Sequence, residues 1–197
     1  MSFWEIESEY RQKGYSMICG TDEAGAGPLA GAVYAAAVIL PFGLEIDGLN
    51  DSKKLTEKKR ESLFDIIQEK AIAWSIRAVD EKEIDKINIL AARLKAMELC
   101  IQSLEPAPDF ALIDGNRDKG ITCPHVTVVK GDAKSANIAA ASILAKVARD
   151  RYIVEMDKIY PEYGFAQHKG YPTKAHYEAL RKHGPCPIHR LTFLKNL

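Results

Sequence analysis

The sequence predicts an α/β domain, and three observations carry that prediction. Strand-sized apolar runs at 17–24, 32–40 and 71–79 dominate the first eighty residues. Helical and strand patterns alternate through the rest of the chain. No repeat or low-complexity segment interrupts them.

The elements follow in order. Residues 17–24 and 32–40 read as paired strands joined through the bend Gly25–Gly31. Thr56 has the chemistry to cap a helix running to about Lys70, with Leu63, Ile66, Ile67 and Lys70 on adjoining turns. Residues 71–79 alternate well enough for a third strand. Asp80 with Glu83 has the spacing of a capping box for a short helix, and Asn88 caps a second helix to about Leu104. Pro106 and Pro108 break the chain before a strand at 110–113, and residues 125–129 form a fifth. The stretch 135–159 is helical, and its small apolar first half belongs against the sheet. A last helix, 173–183, starts at Thr173 behind Pro172.

Length and composition narrow the class. A chain of 197 residues suits one domain with a sizeable core and room for a small appendage. The longest apolar stretch, Ala32 to Pro41, is strand-sized and falls short of the roughly 18 residues of a membrane span. The N-terminal stretch from Ser2 to Glu7 is acidic and amphipathic, unlike a signal peptide. Cys19, Cys100, Cys123 and Cys186 lie far apart with no C-x-x-C pair, which predicts inert thiols in a reducing cytoplasm rather than disulfides or zinc. A net charge of zero argues against an indiscriminately basic nucleic-acid binder. The charge is unevenly placed, however. From Pro161 onward Lys169, Lys174, Arg181, Lys182, Arg190 and Lys195 face only Glu162 and Glu178. A second basic cluster comprises Lys53, Lys54, Lys58, Lys59 and Arg60. Such runs are usually solvated faces, but beside a phosphodiester site they become a strand-guiding surface.

The chemistry sits at strand ends. T-D-E-A-G-A-G-P-L-A-G (Thr21–Gly31) carries Asp22 and Glu23 off an apolar run into a glycine bend. Asp114 ends the run Phe110–Ile113, and Asp132 follows the run Val126–Lys130. Hard cations take oxygen ligands, and glycines let backbone amides approach a phosphodiester. One strand-end acid is ordinarily a turn or cap residue. Three such places, each with glycine beside the acid, match the carboxylates of a two-metal phosphoryl-transfer site with ions about 3.5–4 Å apart.

With these motifs in view, the chain resembles bacterial ribonuclease HII over nearly its whole length. The resemblance rests on Thr21–Gly31, L-N-D-S-K-K-L (Leu49–Leu55) and I-D-G-N-R (Ile113–Arg117). It continues in V-K-G-D-A-K-S (Val129–Ser135), A-A-S-I-L-A-K-V (Ala140–Val147) and Y-G-F-A-Q-H-K-G-Y-P-T (Tyr163–Thr173). It implies a ribonuclease-H-like mixed five-stranded sheet flanked by helices, with residues 1–160 as the catalytic domain and 161–197 as a basic helical extension packed on it. It further implies a monomeric cytoplasmic endonuclease that cleaves RNA–DNA hybrids and incises DNA duplexes 5′ of embedded ribonucleotides. Hydrolysis by two ions, Mg²⁺ or Mn²⁺, held by Asp22, Glu23, Asp114 and Asp132, would leave 5′-phosphate and 3′-hydroxyl ends.

Substrate contacts carry over onto Gly25, Ala26 and Gly27 and onto Tyr171, the ring that the family stacks on a sugar at the RNA–DNA junction. Lys53, Lys54, His168 and Lys169 are expected on phosphates, and Ser135 offers a hydroxyl. Asp150 reads instead as a structural ion-pair partner. One departure stands out. The family normally has Gly-Arg-Gly where this chain has Gly25-Ala26-Gly27, so a guanidinium able to hold phosphate bidentately is missing. Another metal-dependent nuclease of the same superfamily, a non-catalytic nucleic-acid-binding module and a small-molecule phosphatase are the competing readings.

Overall fold

β1 (Ile18–Ala24) lies at the centre of the molecule, paired antiparallel with β2 (Val33–Ile39) and parallel with β4 (Phe110–Asp114). β3 (Ala73–Val79) extends the sheet beyond β2 in antiparallel fashion, and β5 (His125–Val128) pairs parallel with β4. The resulting order β3-β2-β1-β4-β5 is the mixed five-stranded sheet that the sequence led us to expect. These features belong to a computed structural model that describes residues 3–195. Ser2, which opens the acidic N-terminal stretch, and the last two positions of the C-terminal extension lie outside the described residues.

Period-two alternation along the strands sorts side chains between two layers. Cys19, Ala35, Ala37, Ala111 and Ile113 face α4 (Ile89–Gln102), where Ala92, Ala96, Met97 and Cys100 complete a buried core. Ala36 and Val38 face the opposite layer, made by α5 (Ala136–Ile159) with α2 (Glu57–Lys70) packed beside it. The small residues at the start of α5 have a steric reason. The helix crosses β1 so closely that a methyl group on Gly20 would come within 2.3 Å of the Ile138 amide nitrogen. Only glycine fits a strand at that separation.

The caps are largely where the sequence put them. Thr56, Asn88 and Thr173 each accept from the amide three residues on, at the starts of α2, α4 and α7 (Lys174–His183). Asp80 does the same for α3 (Glu81–Ile87), but the Glu83 carboxylate is paired with Lys95, so it leaves the reciprocal half of a capping box. An N-terminal helix, α1 (Glu5–Gln12), was not expected, since Trp4 at its start provides no side-chain cap. Tertiary contact holds it. Glu7 is buried against the first turn of α5, accepting from the Ser135 hydroxyl at 2.6 Å and the Asn137 amide at 3.3 Å. Burial raises the Glu7 pKa despite those bonds.

After α5 the chain turns through Pro161–Tyr163 and α6 (Phe165–His168) into α7. This C-terminal region is fastened to the glycine bend. Leu29 donates to the Gly170 carbonyl and Gly31 to that of Ile188, while Arg190 donates to the Leu29 carbonyl. Leu29 and Ala30 share a buried cluster with Ile153, Phe165, Leu180 and Ile188.

Candidate active site

Strand register brings the acids together. β1 and β4 run parallel with Thr21 beside Ile113, so Asp22 and Asp114 follow as neighbours where the β1–β4 pairing ends. Carboxyl ends of adjacent parallel strands are a common place for a ligand in open α/β sheets. Asp114 Oδ1 accepts from the Gly131 amide at 2.7 Å, and this anchors the short turn Gly131–Ala133 that carries Asp132. Lys130 lies in the left-handed region with φ 57°, which ends β5 and starts that turn.

Electrostatics couple the acids. Burial raises the Asp22 pKa well above its ordinary 3.8, and Glu23 and Asp114 add to the effect. Burial raises Glu23 as well, against the opposing pull of Arg93. Asp132 is raised by burial, then by Asp51 and Asp114. Lys53 is a mostly exposed cation beside the cluster, with Nζ 3.7 Å from Asp132 Oδ2. Desolvation acts downward on Lys53, but Asp22, Asp132, Asp51 and Asp114 together outweigh it and its pKa is raised.

The donor set suits a hard divalent ion, being all carboxylate oxygen. Glu23 Oε2 is buried without a hydrogen-bond partner, an orphan that a cation would satisfy. The side chains are nonetheless not gathered into a ready cage. Among the described residues no three acid, histidine or cysteine groups converge on one point. Glu23 is instead paired with Arg93 at 2.8 Å.

A pH prediction follows for the metal-free protein. A carboxyl whose pKa is raised on folding stabilises the fold fully below its unfolded value, here about 3.8, and that stability is lost as pH rises through the folded value. Metal-free protein should therefore become less stable as pH climbs from about 4 toward neutrality. Asp22→Asn should flatten that slope, as thermal melts across pH in chelator would show.

The glycine bend and Tyr171 meet beside these acids in the fold. The Tyr171 ring, 41% exposed, stands 3.6 Å from where a Cβ on Gly27 would lie. Arg190 is wholly buried beneath the bend and donates to the carbonyls of Gly25, Ala26 and Gly31. Arg149 fills the space under Gly25, donates to the Lys169 carbonyl at 2.7 Å and sits 5.7 Å from the Tyr171 ring centroid. A histidine chain holds the tyrosine backbone, and its tautomers are fixed by the donors. Cys186 N–H donates to His189 Nδ1, so His189 Nε2–H donates to His176 Nε2, leaving His176 Nδ1–H for the Tyr171 carbonyl. Burial pushes His189 down to about 4 and lowers His176 too, which keeps both neutral.

Several expected contacts are corrected. Ser135 is fully buried, capping α5 and donating to Glu7, so its hydroxyl is not available to a substrate. Both ring nitrogens of His168 are occupied, Nε2 on the Tyr163 carbonyl and Nδ1 by the Gly170 amide. Arg190, counted in the basic tail, is internal, whereas Lys174, Arg181, Lys182 and Lys195 are exposed. Arg60 likewise turns inward to the carbonyls of Ser52 and Leu55. Lys169 is half-buried with Nζ on the Ala166 carbonyl, and Lys54 is exposed. Asp150 pairs with Lys146 at 2.7 Å and Arg149 at 3.6 Å. Sequence reading passed over Asp51, whose place in Leu49–Leu55 beside Lys53 was the available signal, and Arg93, for which no local signal exists.

Comparison with known proteins places the chain in a family. Residues 19–196 match the family model described as Ribonuclease HII. The chain is 60% identical to the ribonuclease HII of Acetivibrio thermocellus, over 96% of this chain and 74% of that one. It is 53% identical to that of Caldicellulosiruptor bescii, over 100% and 95% of the two chains. Among solved structures, ribonuclease H2 from Pyrococcus horikoshii superposes with a TM-score of 0.74 at 28% identity, covering 90% of this chain and 93% of that one. The ribonuclease HII in a PCNA complex from Archaeoglobus fulgidus gives 0.76 at 25% identity, covering 92% and 95%.

Proposed function

The chain belongs to the ribonuclease HII family, and on that footing we propose that Asp22, Glu23, Asp114 and Asp132 are its catalytic centre. The activity is that of a hydrolase, an endonuclease acting on RNA paired with DNA. The observation that supports the site most directly is the parallel register of β1 and β4, which sets Asp22 beside Asp114 where their pairing ends. In this reading the enzyme also incises duplex DNA 5′ of embedded ribonucleotides and leaves 5′-phosphate and 3′-hydroxyl ends. It works as a cytoplasmic monomer with Mg²⁺ or Mn²⁺. Residues 1–160 form the catalytic unit and 161–197 its extension.

The ions, when held by the four carboxylates, supply Lewis acidity toward the phosphate and lower the pKa of a bound water. The protein's own groups do the rest. Lys53, exposed and beside Asp132, offsets phosphate charge on arrival. The backbone of Gly25–Gly27, fixed from below by Arg190, presents polar groups to the sugars, where the 2′-hydroxyl separates RNA from DNA. Tyr171 closes the other side of that bend.

Digestion of RNA–DNA hybrid, all-DNA duplex and duplex with one ribonucleotide, each with and without chelator, tests the reading. Metal-dependent cutting of the first and third but not the second is expected. Cutting of all-DNA duplex at a similar rate would overturn it in favour of a less selective nuclease.

The altered bend gives a further expectation. Ala26 is only half-buried and Gly27 is exposed, so an arginine restored at 26 would meet phosphate in solvent. Ala26→Arg should tighten binding by under about 1 kcal/mol, mainly in KM and less at high salt. Unchanged constants at two salt concentrations would mean that the bend works through its backbone alone.

A further inference from the structure

Arg93 is the one arginine that reaches the proposed carboxylate centre among the described residues. It projects from α4 onto the sheet face that carries Glu23, opposite the face of α5. Its Nη1 donates to Glu23 Oε1 at 2.8 Å, with the two side chains only 22% and 12% exposed. Its Nη2 lies 3.6 Å from where a Cβ on Gly115 would stand, so the guanidinium spans from Glu23 to the turn just after Asp114. Gly115 has φ +100° and no side chain to displace it. Arg93 Nε and Glu23 Oε2 are both buried without hydrogen-bond partners. The pair is therefore joined through a single bond, and each partner keeps an unsatisfied atom.

The contrast with Lys53 is physical. Lys53 is 80% exposed and 3.7 Å from its acid, so it can leave with a solvent shell. Arg93 is mostly enclosed, permanently charged and shape-matched to carboxylate. Nothing in the catalytic chemistry of the four acids requires a cation fixed at Glu23.

We propose that Arg93 is a resident counter-cation of the carboxylate centre, which holds Glu23 by Oε1 in the absence of metal and weakens the binding of divalent ions. It rests on the reading of the four acids as the metal site. A fixed positive charge beside that site opposes an incoming divalent cation, and Glu23 must loosen its hold on the arginine to close around an ion. The arginine thus sets the ion concentration at which the centre fills, and it shields the acids from one another while the centre is empty.

The test is titration of Mn²⁺ alone into substrate-free protein by calorimetry, with melts of metal-free and Mn²⁺-loaded samples alongside. Arg93→Gln removes the charge and leaves a shorter polar side chain, and Arg93→Lys retains the charge. Arg93→Gln should bind Mn²⁺ about tenfold tighter and melt lower than wild type when metal-free, while Arg93→Lys should stay within about twofold of wild type. Unchanged or weaker binding in Arg93→Gln overturns the proposal, the weaker result assigning Arg93 a purely orienting role. Equal tightening in both variants also overturns it, since charge would then not be the cause. Asp114→Asn serves as the separate control. If it binds Mn²⁺ as wild type does, the metal-site reading itself fails, whatever the Arg93 variants show.

Discussion

Asp114→Asn is expected to lower turnover by on the order of 10²-fold or more, the scale of removing one preorganised electrostatic group. The substitution isolates charge from shape. Asp114 Oδ1 accepts from the Gly131 amide, and an asparagine oxygen accepts equally well, so the turn bearing Asp132 should stay in place. What disappears is the negative charge beside Asp22. Asp22→Asn and Glu23→Gln should be comparably damaging. Asp132→Asn is expected to be milder if Asp132 mainly positions the ion, since Asp51 lies against it as a second acid. Wild-type turnover for Asp114→Asn at saturating Mg²⁺ would sink the assignment. Single-turnover measurements on hybrid, with melting temperatures for each variant, separate lost chemistry from lost fold.

The four proposed acids could be singled out because each stands where an apolar run stops, and a stop in the pattern is local information. The helix starts at Thr56, Asn88 and Thr173 were legible for the same reason, since a cap bonds an amide three residues away. Contacts spanning long sequence distances were not. Ser135 looked like a free hydroxyl in a substrate motif, yet its partner is Glu7, 128 positions back. Arg190 looked like part of a basic tail, yet three carbonyls of a bend about 160 residues earlier consume it. Arg93 sits in an unremarkable helical stretch and matters only because period-two alternation turns Glu23 toward α4. α1 was missed because its stability comes from docking on α5 rather than from its own residues. Side chains with donors in excess were thus read outward by default, and burial turned several of them inward.

Tyr171→Ala should impair cleavage at a single embedded ribonucleotide more than cleavage of a uniform hybrid, by roughly 1–3 kcal/mol as stacking contacts go. The backbone under the ring is held independently of it. The Tyr171 carbonyl accepts from the Thr173 amide at 2.8 Å and from His176 Nδ1 at 2.9 Å, and its own amide donates to His168. Removing the ring should therefore leave the Gly170–Tyr171 turn bonded to Leu29 and the fold intact. The ring itself is 41% exposed, beside Gly27, with the Arg149 guanidinium behind it. In the proposed reading this face stacks on a sugar, and it would distinguish sugars only where their character changes along the strand. A single ribonucleotide presents that change at the cut, whereas a long hybrid offers ribose on every side and many equivalent registers. Tyr171→Phe should keep most of the preference if stacking rather than the hydroxyl carries it. Comparing kcat/KM for Tyr171→Ala on duplexes with one, four and many ribonucleotides reads this directly. Equal losses on all three would reduce the ring to a structural element of the bend.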